Sequence, residues 1–260
     1  MSQHPLILGH RGASAVAPEN TLAAFSRAIA AGADGIEFDV QLSHDGVPVV
    51  IHDASLKRTG LQDRLVSDLT AQELQTIDVG TWFRKTNSIP AFAGERLPLL
   101  TDVFDLFRLT GGLLYVEMKC ETCDAAALAG AVVRLTRSSG MADRVVVLSF
   151  DHSAIAEVKR LDSTLRTAAL FEPKLSQPMT LVRSIKVVDK AVRVGADEIA
   201  LHYSLAGNRV IDQARERGLE VVLWTVDDPK WIARSRKLGV KALIANDPSA
   251  MLAKRRLIPV

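Results

Sequence analysis

Short apolar runs alternate with amphipathic stretches along the whole chain. Leu6 to Gly9 predicts a strand, and Asn20 to Ala31 a helix capped by Asn20 or Thr21 and ended by Gly32. Gly35 to Leu42 and Val47 to His52 predict two strands joined by the turn Ser43-His44-Asp45-Gly46, where Asp-Gly favours a hairpin. Further strands are expected at Leu113 to Met118, Val145 to Phe150, Thr167 to Phe171, Glu198 to His202, Glu220 to Val226 and Ala242 to Ala245. Helical periodicity fills the gaps: Ala125 to Arg137, Ser153 to Leu161, Leu181 to Val194, Val210 to Arg217, Pro229 to Leu238 and Pro248 to Leu257. Gly195, Gly218 and Gly239 stand where three of these helices should stop.

Strands and helices in strict alternation imply βαβ units and a parallel sheet. With Val47 to His52 set aside as a hairpin partner, about eight strands remain, the number a closed (β/α)8 TIM barrel needs. The competing open, doubly wound sheet usually has fewer strands, and no G-x-G-x-x-G follows the first strand. One stretch, residues 54–100, breaks the rhythm. It holds a capped turn at Thr70-Ala71-Gln72-Glu73-Leu74 and the aromatics Trp82, Phe83 and Phe92. It is expected to be a small inserted subdomain after the second strand, over the barrel mouth, within a single domain spanning 1–260.

Charge appears where strands end. Leu8-Gly9-His10-Arg11-Gly12, Ile36-Glu37-Phe38-Asp39-Val40, Val49-Val50-Ile51-His52-Asp53 and Tyr115-Val116-Glu117-Met118-Lys119 all carry charged groups among apolar neighbours. Buried carboxylates are costly unless a cation or hydrogen bonds compensate them. Strand ends of a barrel converge on one face, so these residues are expected to form one site. Glu37 and Asp39 are two apart and point the same way on a strand. With Glu117 they offer an all-oxygen ligand set, suited to Ca²⁺ or Mg²⁺ rather than zinc. Lys119 and Arg11 fit phosphate oxygens. His10 and His52, from different strands, fit an acid–base pair. Trp224, at the end of an apolar run, reads equally as core or as an apolar wall at the mouth. His4, His44, His152 and His202 read as surface or satisfied histidines.

Composition adds exclusions. Of 260 residues, 48% are hydrophobic, enough for a large core, and the formal net charge of +2 argues for neither nucleic acid nor an anionic membrane as partner. The basic Lys254-Arg255-Arg256 reads as a solvated helix end. The two cysteines, Cys120 and Cys123, have C-x-x-C spacing with no second pair for a zinc site; loop thiols or a disulfide are both compatible with it. No signal peptide or membrane-length apolar run is visible, which leads to the expectation of a cytoplasmic protein with no stable membrane insertion. Oligomeric state is left open.

The chain resembles the glycerophosphodiester phosphodiesterases. The resemblance rests on His10-Arg11-Gly12, Pro18-Glu19-Asn20-Thr21, Glu37-Phe38-Asp39-Val40, His52-Asp53, Glu117-Met118-Lys119, Trp224-Thr225-Val226 and Asn246-Asp247-Pro248, in the family's order over nearly the whole chain. It implies a (β/α) barrel with an insertion after the second strand. It implies one divalent cation, commonly calcium or magnesium, on Glu37, Asp39 and Glu117, with His10 and His52 as acid and base. Arg11 and Lys119 would hold the phosphate, and Glu19 would lie near the metal. The implied reaction hydrolyses a small-molecule glycerophosphodiester to glycerol 3-phosphate and an alcohol, either by direct attack of water or through a cyclic phosphate. The chain departs from the family at Gly60-Leu61-Gln62-Asp63, at Met118 and at Ala245-Asn246-Asp247, which bears on alcohol specificity. Competing readings are a lysophospholipase D-like enzyme using the insertion's aromatics, a non-catalytic phosphodiester-binding barrel, and a redox or zinc protein built on the cysteines.

Overall fold

The computed structural model describes residues 4–83, 92–120, 123–173 and 181–258. Eight parallel strands form the barrel: β1 (Leu6–His10), β2 (Gly35–Leu42), β4 (Leu113–Met118), β5 (Val145–Ser149), β6 (Arg166–Phe171), β7 (Glu198–His202), β8 (Glu220–Trp224) and β9 (Ala242–Ala245). β1 pairs with both β2 and β9, which closes the ring. The short β3 (Pro48–Val50) pairs antiparallel with β2, as the hairpin turn predicts.

The helices flank the strands in order: α1 (Leu22–Ala31), α2 (Ala71–Leu74), α3 (Leu100–Thr110), α4 (Ala125–Ser138), α5 (His152–Leu161), α6 (Leu181–Arg193), α7 (Asn208–Glu216), α8 (Lys230–Leu238) and α9 (Pro248–Arg255). Thr21, not Asn20, caps α1, its hydroxyl accepting from the Ala24 N–H, and Gly32 closes the helix at φ 83°. β5 and β8 stop one and two residues before their predicted ends, because Phe150, Thr225 and Val226 already belong to the loops at the mouth.

Two apolar layers lie between strands and helices. One is built on Phe25, Phe38, Phe104 and Leu128, the other on Ile155, Ile199, Leu201 and Leu223. The barrel interior is a separate core, with Leu8, Tyr115, Leu148, Leu170, Val222 and Ile244 pointing inward. Its floor is polar. The fully buried Glu198 accepts from the Tyr115 hydroxyl at 2.8 Å, from Arg166 Nη2 at 2.9 Å and from Lys241 Nζ at 2.7 Å, so its charge is paired.

Between β3 and α3 the chain makes its own small core from Leu56, Val66, Leu69, Leu74, Ile77, Val79 and Leu97, seated on Val49 and Ile51. The expected capping box at Thr70 and Glu73 is present. Trp82, Phe83 and Phe92 stack edge to face, and Trp82 Nε1 donates to the Val79 carbonyl. Residues 84–91 of the expected insertion lie outside the described residues, as does the predicted start at Met1 to Gln3.

Close approach of β2 and β4 requires Gly35. A Cβ there would stand 2.2 Å from the Leu113 carbonyl oxygen, a backbone atom that cannot rotate away. Gly35→Ala is expected to cost ~1–3 kcal/mol, the range for overpacking a tight core. Urea denaturation of the two proteins checks this; an unchanged midpoint would show that the strands can spread at no cost.

Candidate active site

Sheet register brings the charged residues together. His10 stands opposite Glu37 in the β1–β2 pairing, and Asp39 opposite Glu117 in the β2–β4 pairing. Glu37, Asp39 and Glu117 are buried, and one carboxylate oxygen from each lies within 4.8 Å of the others. No other cluster of three or more potential metal-ligating residues is found among the described residues, the cysteines included. Cys120 and Cys123 are free, half-buried thiols packed against the outer apolar layer.

Two cations offset the three carboxylates. Lys119 Nζ lies 2.5 Å from Glu117 Oε1 and 3.2 Å from Asp39 Oδ1. Arg11 Nε lies 3.2 Å from Asp39 Oδ2, and the Arg11 N–H reaches Glu37 Oε2 at 3.3 Å. These ion contacts do not saturate the oxygens: Asp39 Oδ1 and Glu117 Oε1 accept no well-aligned hydrogen bond, and Arg11 Nε donates none. Three buried carboxylates with oxygens within 4.8 Å of one another form a donor set that suits a hard divalent cation.

Electrostatics splits the three acids. Burial works to raise Asp39, but Lys119 and Arg11 outweigh it and hold the carboxyl down at about 2. Burial raises Glu117 to about 7, helped by the charge of Asp39 and opposed by Lys119. Burial and the neighbouring Asp39 and Glu117 raise Glu37 well above the usual range. Lys119 is held more basic than usual, because Asp39 and Glu117 outweigh its own burial. The same charge balance keeps Asp39 ionised.

Both histidines are pinned at Nδ1. Asn246 Nδ2 donates to Asp227 at 2.7 Å, which turns Asn246 Oδ1 toward His10 Nδ1, also at 2.7 Å. Asp53 Oδ1 lies 2.6 Å from His52 Nδ1. In each ring the Nδ1–H then donates outward and Nε2 is left for the cavity. His10 Nε2 stands 3.9 Å from Glu37 Oε2. Burial and Arg11 lower the His10 pKa, so the ring is neutral near pH 7.

A cavity of about 150 Å³ opens here. His10, Arg11, Glu37, His52, Glu117 and Lys119 form its charged wall, facing an apolar wall that includes Phe150 and Trp224. Trp224 lines the cavity, meets Phe150 edge to face with ring centres 5.5 Å apart, and packs against the interior core on its other side. All the sequence-predicted site residues except Asp39 and Glu19 line this cavity; Asp39 lies fully buried against Arg11 and Lys119, and Glu19 pairs with Arg11. His152 is satisfied by the Leu170 carbonyl, and His202 by Ser204.

Sequence reasoning missed four supporting residues. Asn20 is buried at φ 57° and donates to Asp39 Oδ2 at 2.8 Å. Asp53 and Asn246 fix the two histidines. Glu172 lines the cavity rim. The first three sit inside motifs already visible, and Asp53 directly follows His52.

Lys119→Met is expected to destabilise the metal-free protein by ~3–5 kcal/mol, the scale for leaving a buried charge unpaired. The loss should be larger at pH 8 than at pH 5. Below about 7 Glu117 carries a proton, so less negative charge needs a partner. Urea midpoints at the two pH values test this; equal losses would mean that Glu117 does not take up the proton.

The profile of the Glycerophosphoryl diester phosphodiesterase family matches residues 10–250. A glycerophosphodiester phosphodiesterase of Caldanaerobacter subterraneus subsp. tengcongensis is 32% identical over 247 residues, covering 95% of this chain and 96% of its own. The crystal structure of a glycerophosphodiester phosphodiesterase from Agrobacterium tumefaciens superposes with a TM-score of 0.78 at 29% identity, covering 96% of this chain and 99% of the other. An Oleispira antarctica phosphodiesterase in complex with the product sn-glycerol-3-phosphate superposes with a TM-score of 0.83 at 25% identity, covering 96% of both chains. The chain therefore belongs to the glycerophosphoryl diester phosphodiesterase family, as a phosphoric diester hydrolase on a (β/α)8 barrel.

Proposed function

We propose that this chain hydrolyses glycerophosphodiesters in a metal-dependent reaction, with glycerol 3-phosphate and an alcohol as products. The observation that carries the reading is the carboxylate trio within 4.8 Å, beside a cavity that also presents two histidines, an arginine and a lysine. Glu37, Asp39 and Glu117 would hold one divalent cation, Ca²⁺ or Mg²⁺. When bound, that cation supplies charge stabilisation at the non-bridging phosphate oxygens.

The protein's own groups do the rest. Arg11 and Lys119 are placed to hold the phosphate oxygens, and both keep their charge because the buried carboxylates stabilise it. His10, neutral and with Nε2 facing the cavity, takes the proton of the attacking nucleophile, either water or the substrate's own glycerol hydroxyl. His52, as an imidazolium held at Nδ1 by Asp53, gives its Nε2 proton to the leaving alkoxide as the P–O bond breaks; on the second route water then opens the cyclic phosphate, giving one proton back to His52 while His10 returns its own to the released oxygen. Phe150 and Trp224 exclude water from one wall and offer apolar contact to the diester. The product found in the Oleispira antarctica neighbour supports glycerol 3-phosphate as the product retained in such a cavity.

We read residues 54–100 as one small insertion within a single barrel domain, because its apolar cluster closes on itself and rests on Val49 and Ile51. Among the described residues no helix is long and apolar enough to cross a membrane, in keeping with a small-molecule substrate.

The test is a coupled assay of glycerol 3-phosphate release from several glycerophosphodiesters, after chelation and re-addition of Ca²⁺, Mg²⁺ or Mn²⁺. Activity should vanish with chelator and return with a divalent cation. Glu37→Gln, Asp39→Asn and Glu117→Gln should each weaken metal binding and turnover, since each removes an anionic ligand at constant size. His10→Ala and His52→Ala should each lower turnover ~10²-fold or more with a smaller change in metal affinity. Full activity in any two of the carboxylate variants at limiting metal would rule out the cluster.

A further inference from the structure

Arg58 is a residue that the proposed chemistry does not use, yet it touches both ends of the site's support. It lies in the loop after β3, at the start of the segment that packs as its own small core. Its Nη1 and Nη2 each donate to Glu19, at 2.8 Å in both cases. Its Nε and Nη2 donate to Asp53, at 2.6 and 3.1 Å. One planar guanidinium thus grips two carboxylates with a forked pair of bonds to each.

Each carboxylate is also the partner of a residue lining the cavity. Asp53 Oδ1, held by Arg58 Nη2, is the oxygen that meets His52 Nδ1 at 2.6 Å. Glu19 Oε1, held by the same nitrogen, is the oxygen that accepts from Arg11 Nη1 at 2.9 Å. Arg58 Nη2 therefore stands at the junction of two chains, one to the histidine and one to the phosphate arginine. Trp82 covers it, with the guanidinium carbon 5.6 Å from the ring centre. A half-exposed ion pair is worth little to stability. The alignment of four bonds on two shared oxygens is instead a device for geometry.

We propose that Arg58 is a positioning residue that sets the orientation of His52 and Arg11 together, so that the acid–base and phosphate-holding sides of the site assemble as one unit. The inference rests on the functional reading above. Without Arg58 the Asp53 carboxylate can rotate and release the His52 ring, and Glu19 can release Arg11. The first loss falls on turnover, because Nε2 is no longer fixed. The second falls on binding of the diester.

The experiment measures kcat and KM for a glycerophosphodiester at saturating divalent cation, in the wild type, Asp53→Asn, Glu19→Gln, Arg58→Ala and the double variant Arg58→Ala with Asp53→Asn. Circular dichroism and bound-metal analysis confirm fold and loading. Asp53→Asn should lower kcat ~10-fold or more with KM nearly unchanged, because a neutral amide no longer stabilises the His52 imidazolium at Nδ1. Glu19→Gln should mainly raise KM. Arg58→Ala should show both effects in one variant. The double variant should lose no more turnover than the worse of its two parents, since both changes break one chain. Should Arg58→Ala not fold, Arg58→Lys replaces it: a point charge cannot fork to both carboxylates, so at least one of the two constants should change. Arg58 variants that keep both constants within twofold, or turnover losses that multiply in the double variant, would overturn the inference while the wild type remains active. An inactive wild type would instead overturn the functional reading beneath it.

Discussion

Mutual repulsion among three carboxylates removed from water is the constraint around which this site is organised. Glu37, Asp39 and Glu117 sit at most 7% exposed in the upper barrel, a placement that would unfold a protein if nothing compensated it. Lys119 and Arg11 supply that compensation in part, and burial beside Asp39 pushes Glu37 and Glu117 toward holding their protons. What remains is a trio of buried carboxylates with oxygens within 4.8 Å of one another. A divalent cation would complete this balance, so that metal affinity and the local fold would draw on the same electrostatics.

The barrel makes such a cluster possible because its strands fix distances that loops would not. Asp39 and Glu117 are neighbours across one parallel ladder, and His10 and Glu37 across the next. The inward core beneath them is closed by Leu8, Leu148, Leu170 and Ile244, and its floor carries the separately paired Glu198. Loops then contribute the adjustable parts: Lys119 just past β4, the Asn20 side chain on Asp39, and the Asp53–Arg58–Glu19 bridge. Rigid elements thus hold the ligands, and loop residues hold the groups that must present a particular ring nitrogen or guanidinium edge.

Much of this was legible in the sequence because strand periodicity and residue chemistry are local signals. Glu37 and Asp39 had to face the same way, and eight alternating units had to close. The hairpin at Asp45-Gly46, the Gly32 stop and the Thr70–Glu73 box were also read correctly, each from one turn of chain. What escaped depends on contacts between distant segments. Asn20 read as a helix cap, yet its left-handed backbone turns the amide toward Asp39, nineteen residues away, and leaves Thr21 to cap. Asn246 meets His10 across 236 positions, and no pattern within either segment encodes that pairing. Arg58 looks like an ordinary exposed arginine until the fold sets Glu19 and Asp53 on either side of it. Trp224 could be placed at the mouth only once β8 was seen to end there.

The central claim is that a divalent cation replaces protons on the buried carboxylates. Calorimetric titration of Ca²⁺ or Mg²⁺ into chelator-treated protein near pH 6, in two buffers of different ionisation enthalpy, tests it most directly. Glu117, with its pKa raised to about 7, is mainly protonated there in the metal-free protein. Binding should therefore release protons, with one cation per chain and an affinity that rises with pH through about 7. Binding without proton release, or no stoichiometric binding at all, would contradict the account.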